Sequence, residues 1–128
     1  MNIQQALKQA ALLLDTSSSA ASDNDSRLDA QTLLKHVLQC NSAHIIAWPE
    51  KVLGDEQQER FLQLIKQRAQ GIPVAHLTGS REFWSLEFDI DDSTLIPRPE
   101  TETLVEFILA SFGDRKNLHL LDLGTGTG

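Results

Sequence analysis

The sequence predicts a mainly α protein: a small helical bundle, then a β-hairpin, then the truncated start of an α/β domain. Three observations predict it. Apolar residues recur at three- and four-residue spacing through the first 79 positions, and the period shortens after Arg81. The chain then closes on Leu120-Leu121-Asp122-Leu123-Gly124-Thr125-Gly126-Thr127-Gly128, an apolar run entering a glycine-rich turn. A length of 128 residues with 41% hydrophobic side chains is enough for a real core.

The elements follow in order. Ile3, Ala6, Leu7, Ala10, Leu13 and Leu14 place one stripe on a first helix, which the loop Thr16-Ser17-Ser18-Ser19-Ala20-Ala21-Ser22 ends; its small polar residues suit a mobile segment. Ser26 followed by Asp29 resembles a capping box, and Leu28, Leu33, Leu34, Val37 and Leu38 carry a second helix to near Asn41. Ser42 caps a short third helix that Pro49 terminates. Asp55 with Gln58 opens a fourth, with Phe61, Leu62, Ile65 and Ala69 inward and Gly71 as its stop. Pro73 starts one more turn, closed by Gly79. Phe83, Leu86, Phe88 and Ile90 around Trp84-Ser85 read as two strands of a hairpin, followed by a turn at Asp91, Asp92 and Ser93. Pro97 and Pro99 force an extended path. Glu100 and Glu102 then favour a helix start, and Leu104, Val105, Ile108, Leu109 and Phe112 give that helix an apolar face before Gly113-Asp114 ends it. Residues 118–123 read as the buried strand before the glycine turn.

Charge and cysteine usage narrow the function classes. The 18 acidic and 11 basic side chains give a net charge of −7, which argues against direct nucleic-acid binding. The imbalance is concentrated: residues 1–79 carry 7 basic and 8 acidic side chains, and residues 80–128 carry 4 and 10. The shift suggests two units. The single cysteine, Cys40, has no disulfide partner in the chain, and no Cys/His spacing suits zinc, so a reducing cytoplasm fits best. No apolar run approaches a membrane span and no signal-peptide pattern opens the chain, so no membrane partner is expected.

Two segments could carry chemistry. Gly124, Gly126 and Gly128 alternate with Thr125 and Thr127, so the backbone can turn sharply and approach a ligand with no Cβ in the way. Asp122, two positions before the first glycine, suits a cationic or hydroxyl-bearing ligand better than a pyrophosphate. S-adenosyl-L-methionine, with a sulfonium, an ammonium and no phosphate, is such a ligand. A plain glycine-rich strand-to-helix turn is the bland alternative. Arg98-Pro99-Glu100-Thr101-Glu102 packs a guanidinium and two carboxylates behind a proline bend, either preorganising a site or simply starting a helix with a locally paired arginine. His36, His44, His76 and His119 are dispersed without ligand spacing. Trp48, Phe83, Trp84 and Phe88 are expected as core or hairpin-face residues.

Three stretches in order carry a resemblance: Gly71-Ile72-Pro73-Val74-Ala75-His76-Leu77-Thr78-Gly79 followed by Glu82-Phe83-Trp84; Leu95-Ile96-Pro97-Arg98-Pro99-Glu100-Thr101-Glu102; and Asp122 to Gly128. Together with Arg27-Leu28-Asp29-Ala30 and Leu33-Leu34, they resemble the HemK/PrmC family of protein-(glutamine-N5) methyltransferases. His76 stands where tyrosine is commoner in that family. The resemblance implies a helical substrate-recognition domain at residues 1–79, a β-hairpin linker at 80–97, and at 98–128 the start of a Rossmann-like domain that uses S-adenosyl-L-methionine. It further implies that the substrate is a class-I peptide chain release factor, methylated on the glutamine of its Gly-Gly-Gln loop. Asp122, Gly124, Thr125, Gly126, Thr127 and Gly128 would line the methyl donor, with Arg98, Glu100 and Thr101 beside it.

The family's Asn-Pro-Pro-Tyr motif does not occur in the 128 residues. The chain is therefore expected to be the front end of a longer enzyme, cut at a chosen domain boundary, with no catalytic residue, no activity and no cofactor binding of its own. Residues 118–128 are expected frayed, disordered or paired with another chain. Three rival readings stand beside this one. They are an adenine-N6-type nucleic-acid methyltransferase, a nicotinamide-dependent oxidoreductase and a non-catalytic helical adaptor.

Overall fold

The computed structural model describes residues 1–17 and 23–127; residues 18–22 and Gly128 lie outside the described residues, and with them most of the expected serine-rich loop. Two compact units divide the chain, Met1–Thr78 and Gly79–Gly128. Among the described residues the first holds five helices, α1 (Ile3–Ser17), α2 (Asp23–Leu38), α3 (Ser42–Ala47), α4 (Asp55–Ala69) and α5 (Val74–Thr78). The second holds strands β1 (Ser80–Phe83) and β2 (Leu86–Asp89), a 3-10 turn (Pro99–Thr101) and α6 (Glu102–Phe112). The expected architecture of a helical bundle and a hairpin is the one observed. No helix among the described residues is long and apolar enough to cross a membrane.

The start of α1 is held from both sides. Asn2 and Gln5 form a reciprocal capping box: Gln5 N–H donates to Asn2 Oδ1 at 2.8 Å and Asn2 N–H to Gln5 Oε1 at 3.1 Å. The next orphan donors reach across the chain, Ile3 N–H to the Lys51 carbonyl and Gln4 N–H to that of Pro49, while Leu53 N–H returns to Met1 O. Anchored in this way, α1 turns Ile3, Ala6, Ala10 and Leu14 inward, where they pack with Ala30, Leu33 and Leu34 of α2 and Phe61 and Ile65 of α4. Ala6, Ala10 and Ala30 are fully buried, and their small side chains let the helix axes approach.

The second helix begins earlier than the sequence suggests. Ser26 is an interior helical position, not a cap, and its side chain is buried, while Leu28 is 62% exposed. The inward face is Ser26, Ala30, Leu33, Leu34 and Val37, a spacing of four, three, one and three that a 3.6-residue period satisfies. Position 28 falls off that face whatever its hydrophobicity. The same geometry leaves Leu13 exposed on α1. At the far end of α2, Gln39 takes a left-handed φ of 50° and Cys40 N–H bonds the Lys35 carbonyl at 3.2 Å, a Schellman-type stop without glycine.

Two other caps are displaced by one position. Asn41, not Ser42, caps α3, its Oδ1 accepting from His44 N–H at 2.9 Å. On α4 the cap is Gly54, whose N–H donates to Gln57 Oε1 at 3.1 Å, so Gln57 serves where Gln58 was expected. Gly71 closes α4 at a φ of 99°, with Ile72 N–H reaching the Gln67 carbonyl. Trp48 is 61% exposed and not part of the core. An ion pair ties the second helix to the fourth, Arg68 Nε donating to Asp29 Oδ2 at 2.8 Å.

Phe61 is the largest fully buried side chain of the first unit. Replacing it with alanine leaves a cavity among α1, α2 and α4 and should lower stability by about 3–5 kcal/mol, read as an earlier urea midpoint of the helical signal.

Candidate functional site

The site segments lie in the second unit, and each is built by local constraints. The hairpin pairs Ser80 with Asp89, Arg81 with Phe88, Glu82 with Glu87 and Phe83 with Leu86. Phe83 and Phe88 meet edge to face, with ring centroids 6.4 Å apart. Its two-residue loop, Trp84-Ser85, has φ of 51° and 59°, the left-handed pair that usually demands asparagine and glycine. Glu102 at the start of α6 offsets that strain, its Oε1 accepting from Trp84 N–H at 2.8 Å. A carboxylate that the sequence suggested for a helix dipole thus also fixes the hairpin tip.

Between hairpin and helix the chain takes the extended path that two prolines require. Asp91 Oδ1 accepts from the backbone N–H and the hydroxyl of Ser93, forming the expected turn. Arg98 has the β-region backbone of a residue before proline, φ −102° and ψ 140°, and Pro99 occupies the first position of the 3-10 turn. Arg98, Glu100 and Thr101 are exposed. Arg98 makes no ion pair with Glu100 or Glu102 among the described residues, so the locally paired arginine considered from sequence is not what forms.

The glycine turn follows α6 and an exposed connection. Gly124 and Gly126 have φ of 76° and 68°, so both are committed to the left-handed region, where a β-carbon is disfavoured. The constraint at Gly124 is conformational, since an added Cβ would meet nothing within 4 Å; at Gly126 it would sit 3.9 Å from Thr94 Cγ2. The Thr125 hydroxyl donates to the Asp122 carbonyl at 3.4 Å. Asp122, Gly124, Thr125, Gly126 and Thr127 are exposed, and Gly128 lies outside the described residues. No hydrogen bond or ion pair among the described residues joins them to Arg98, Glu100 or Thr101.

Residues 118–123, which read as a strand but were expected to lack sheet neighbours, form no strand among the described residues. They join no ladder among the described residues, and Leu120, Leu121 and Leu123 are 73–83% exposed. The physical reason is pairing: a strand is completed by hydrogen bonds to a neighbour, and the one ladder among the described residues joins β1 only to β2. No group of three or more His, Cys, Asp or Glu among the described residues could hold a metal. In the helical unit, a groove of about 440 Å³ runs between α1 and α2, with Leu7, Leu12, Lys8, Asp15 and Arg27 in its walls. Its mixture of apolar and charged groups suits a macromolecular surface better than a small molecule.

With this geometry in hand, the likeness to known proteins becomes specific. Residues 5–79 match the family described as the PrmC N-terminal domain. The chain belongs to that family. The matched stretch runs from within α1 through α5 and nearly coincides with the compact helical unit Met1–Thr78. Beyond the PrmC N-terminal domain itself, the likeness extends along the chain. The release factor glutamine methyltransferase of Shewanella oneidensis is 53% identical over 109 residues, covering 85% of this chain and 38% of that protein. Those of Coxiella burnetii and Escherichia coli are 41% and 44% identical over all 128 residues, each covered to 44% of its length. The chain thus spans about two fifths of the length of the curated relatives it matches.

Sequence reasoning missed the Asn2–Gln5 cap, although Asn-x-x-Gln is a readable signal, and missed the Glu102–Trp84 bond, which no local pattern announces. Glu102→Ala should release Trp84 N–H and raise its hydrogen-exchange rate roughly tenfold or more, as expected for losing a bond to a charged acceptor; unchanged protection would show that the turn holds itself.

Proposed function

We propose that this chain forms the N-terminal part of an S-adenosyl-L-methionine-dependent methyltransferase. Its substrate would be the glutamine of the Gly-Gly-Gln motif in class-I peptide chain release factors, methylated at N5 in the cytoplasm. The observation that carries this reading is the identity of 41–44% along the full 128 residues to two proteins named release factor glutamine methyltransferase. In it, residues 1–79 are the substrate-recognition domain, 80–97 the hairpin linker and 98–128 the start of the catalytic domain. The compact core of the helical unit supports a docking role, and the groove between α1 and α2 offers an amphipathic surface for it.

The residues present fit one edge of the methyl donor. Asp122 presents an exposed carboxylate suited to hydroxyl or cationic groups, and the left-handed glycines leave the backbone open to close approach, with free space at Gly124. When bound, the donor supplies a methyl group on a positively charged sulfur. Gly124 to Gly128 would lie along it, with Asp122 supporting the turn, and Arg98, Glu100 and Thr101 would stand near the reacting end. A glutamine amide is a weak nucleophile because its nitrogen lone pair is delocalised into the carbonyl. Transfer therefore needs acceptors that hold the NH2 group and align it. The Asn-Pro-Pro-Tyr motif that would do so is not in these 128 residues.

The acidic balance of −7 disfavours the adenine-N6 nucleic-acid methyltransferase alternative. A non-catalytic helical adaptor shares the docking step and differs only in having no chemistry to deliver. Two measurements test the reading. Purified residues 1–128 should transfer no labelled methyl group to a class-I release factor, and turnover above background would overturn the assignment of this piece as inactive. The same chain should bind an unmethylated release factor in titration calorimetry, and an absence of heat at saturating concentrations would count against the docking role.

A further inference from the structure

Ser26 sits inside α2 with 2% of its surface exposed, and its hydroxyl oxygen is buried with no hydrogen-bond partner among the described residues. A buried hydroxyl left in that condition is destabilising, and native proteins rarely retain one without a partner. Ser26 also lines a cavity of about 100 Å³, whose other walls include Leu14 and Ser17 of α1, Asp29 of α2, and Arg68 and Gly71 at the end of α4. Arg68 uses its Nε–H on Asp29 Oδ2 at 2.8 Å, and its guanidinium has further N–H donors beyond that one.

The chemistry of the walls selects the ligand. An anion would meet the Asp29 carboxylate, and a cation would meet the Arg68 guanidinium; the two already neutralise each other. An apolar group would leave the Ser26 hydroxyl unsatisfied. What remains is a small neutral molecule able to donate and accept, and the space exceeds the roughly 10–15 Å³ that one water needs.

We propose that this cavity is a structural water site, in which ordered water hydrogen-bonds Ser26 Oγ and bridges it to the Asp29–Arg68 pair. The site links α2 to the end of α4 through a polar contact at the margin of the apolar core, where Arg68 and Asp29 are partly exposed. It stands independently of the proposed methyl-transfer function. The Ser26 hydroxyl is then a positioning group for water, and its presence on a face otherwise made of Ala30, Leu33, Leu34 and Val37 has a physical reason.

The test is a high-resolution crystal structure of residues 1–128 together with the melting temperature of Ser26→Ala. The expected result is solvent density about 2.8 Å from Ser26 Oγ and within hydrogen-bond reach of Asp29 or Arg68, with Ser26→Ala melting several degrees lower because the water loses a partner. A dry cavity in the native crystal overturns the proposal whatever the variant does. So does a rise in melting temperature, the signature of removing an unsatisfied hydroxyl. The crystal readout concerns the native chain and holds even if the variant fails to fold.

Discussion

The helical unit depends on how α1 is fixed at its beginning. A helix leaves its first N–H groups without internal partners, and here two of them are taken by carbonyls of Pro49 and Lys51, some forty-five residues along the chain. That choice sets the rotation of α1 about its axis. Once the rotation is set, Ile3, Ala6, Ala10 and Leu14 must face α2 and α4, and Phe61 and Ile65 fill what remains. Ala6, Ala10 and Ala30 are fully buried in this core, so a larger side chain at any of them would have to push its neighbours aside. The extended segment after α3 is thus a structural partner of the first helix, although it has no regular structure beyond the single bridge of Asn2 with Val52.

Against that core, the second unit is of a different kind. No described residue from 79 to 127 is buried, and many of its apolar side chains, Leu86, Phe88, Leu104, Phe107 and Leu109 among them, are open to solvent. Its order rests on local devices: a four-pair hairpin, one carboxylate on a turn amide, an Asx turn, and an arginine stacked over Phe112 at 5.1 Å. Exposed apolar surface of this extent marks a contact surface, and the relatives that the chain matches are longer than it is.

Much of the fold was legible in the sequence because periodicity is a local signal. All five helices of the first unit, the hairpin and α6 stand where apolar spacing and turn residues indicated. The errors have physical causes. Ser26-x-x-Asp29 has the form of a capping box, yet Asp29 is committed to Arg68 thirty-nine residues away, and a tertiary ion pair leaves no trace in a local window. Leu28 and Leu13 are as hydrophobic as their neighbours, but burial follows angle about the helix axis before it follows side-chain type. The apolar run at 118–123 reads as a strand, and its standing unpaired agrees with the expectation that it lacks sheet neighbours. For the candidate site, the left-handed glycines were legible as glycines, whereas the relation between residues 98–101 and 122–127 depends on long-range packing that no motif encodes.

The distribution of tryptophan gives the molecule an optical property. Each unit carries a single indole, Trp48 after α3 and Trp84 at the hairpin tip. Trp48 is 61% exposed, and Trp84 is partly shielded, with its backbone amide beside the Glu102 carboxylate. With one indole replaced by phenylalanine, the emission of the other reports on its own unit alone. The chain is therefore a two-channel fluorescent instrument in which loosening of the hairpin and melting of the bundle can be watched separately.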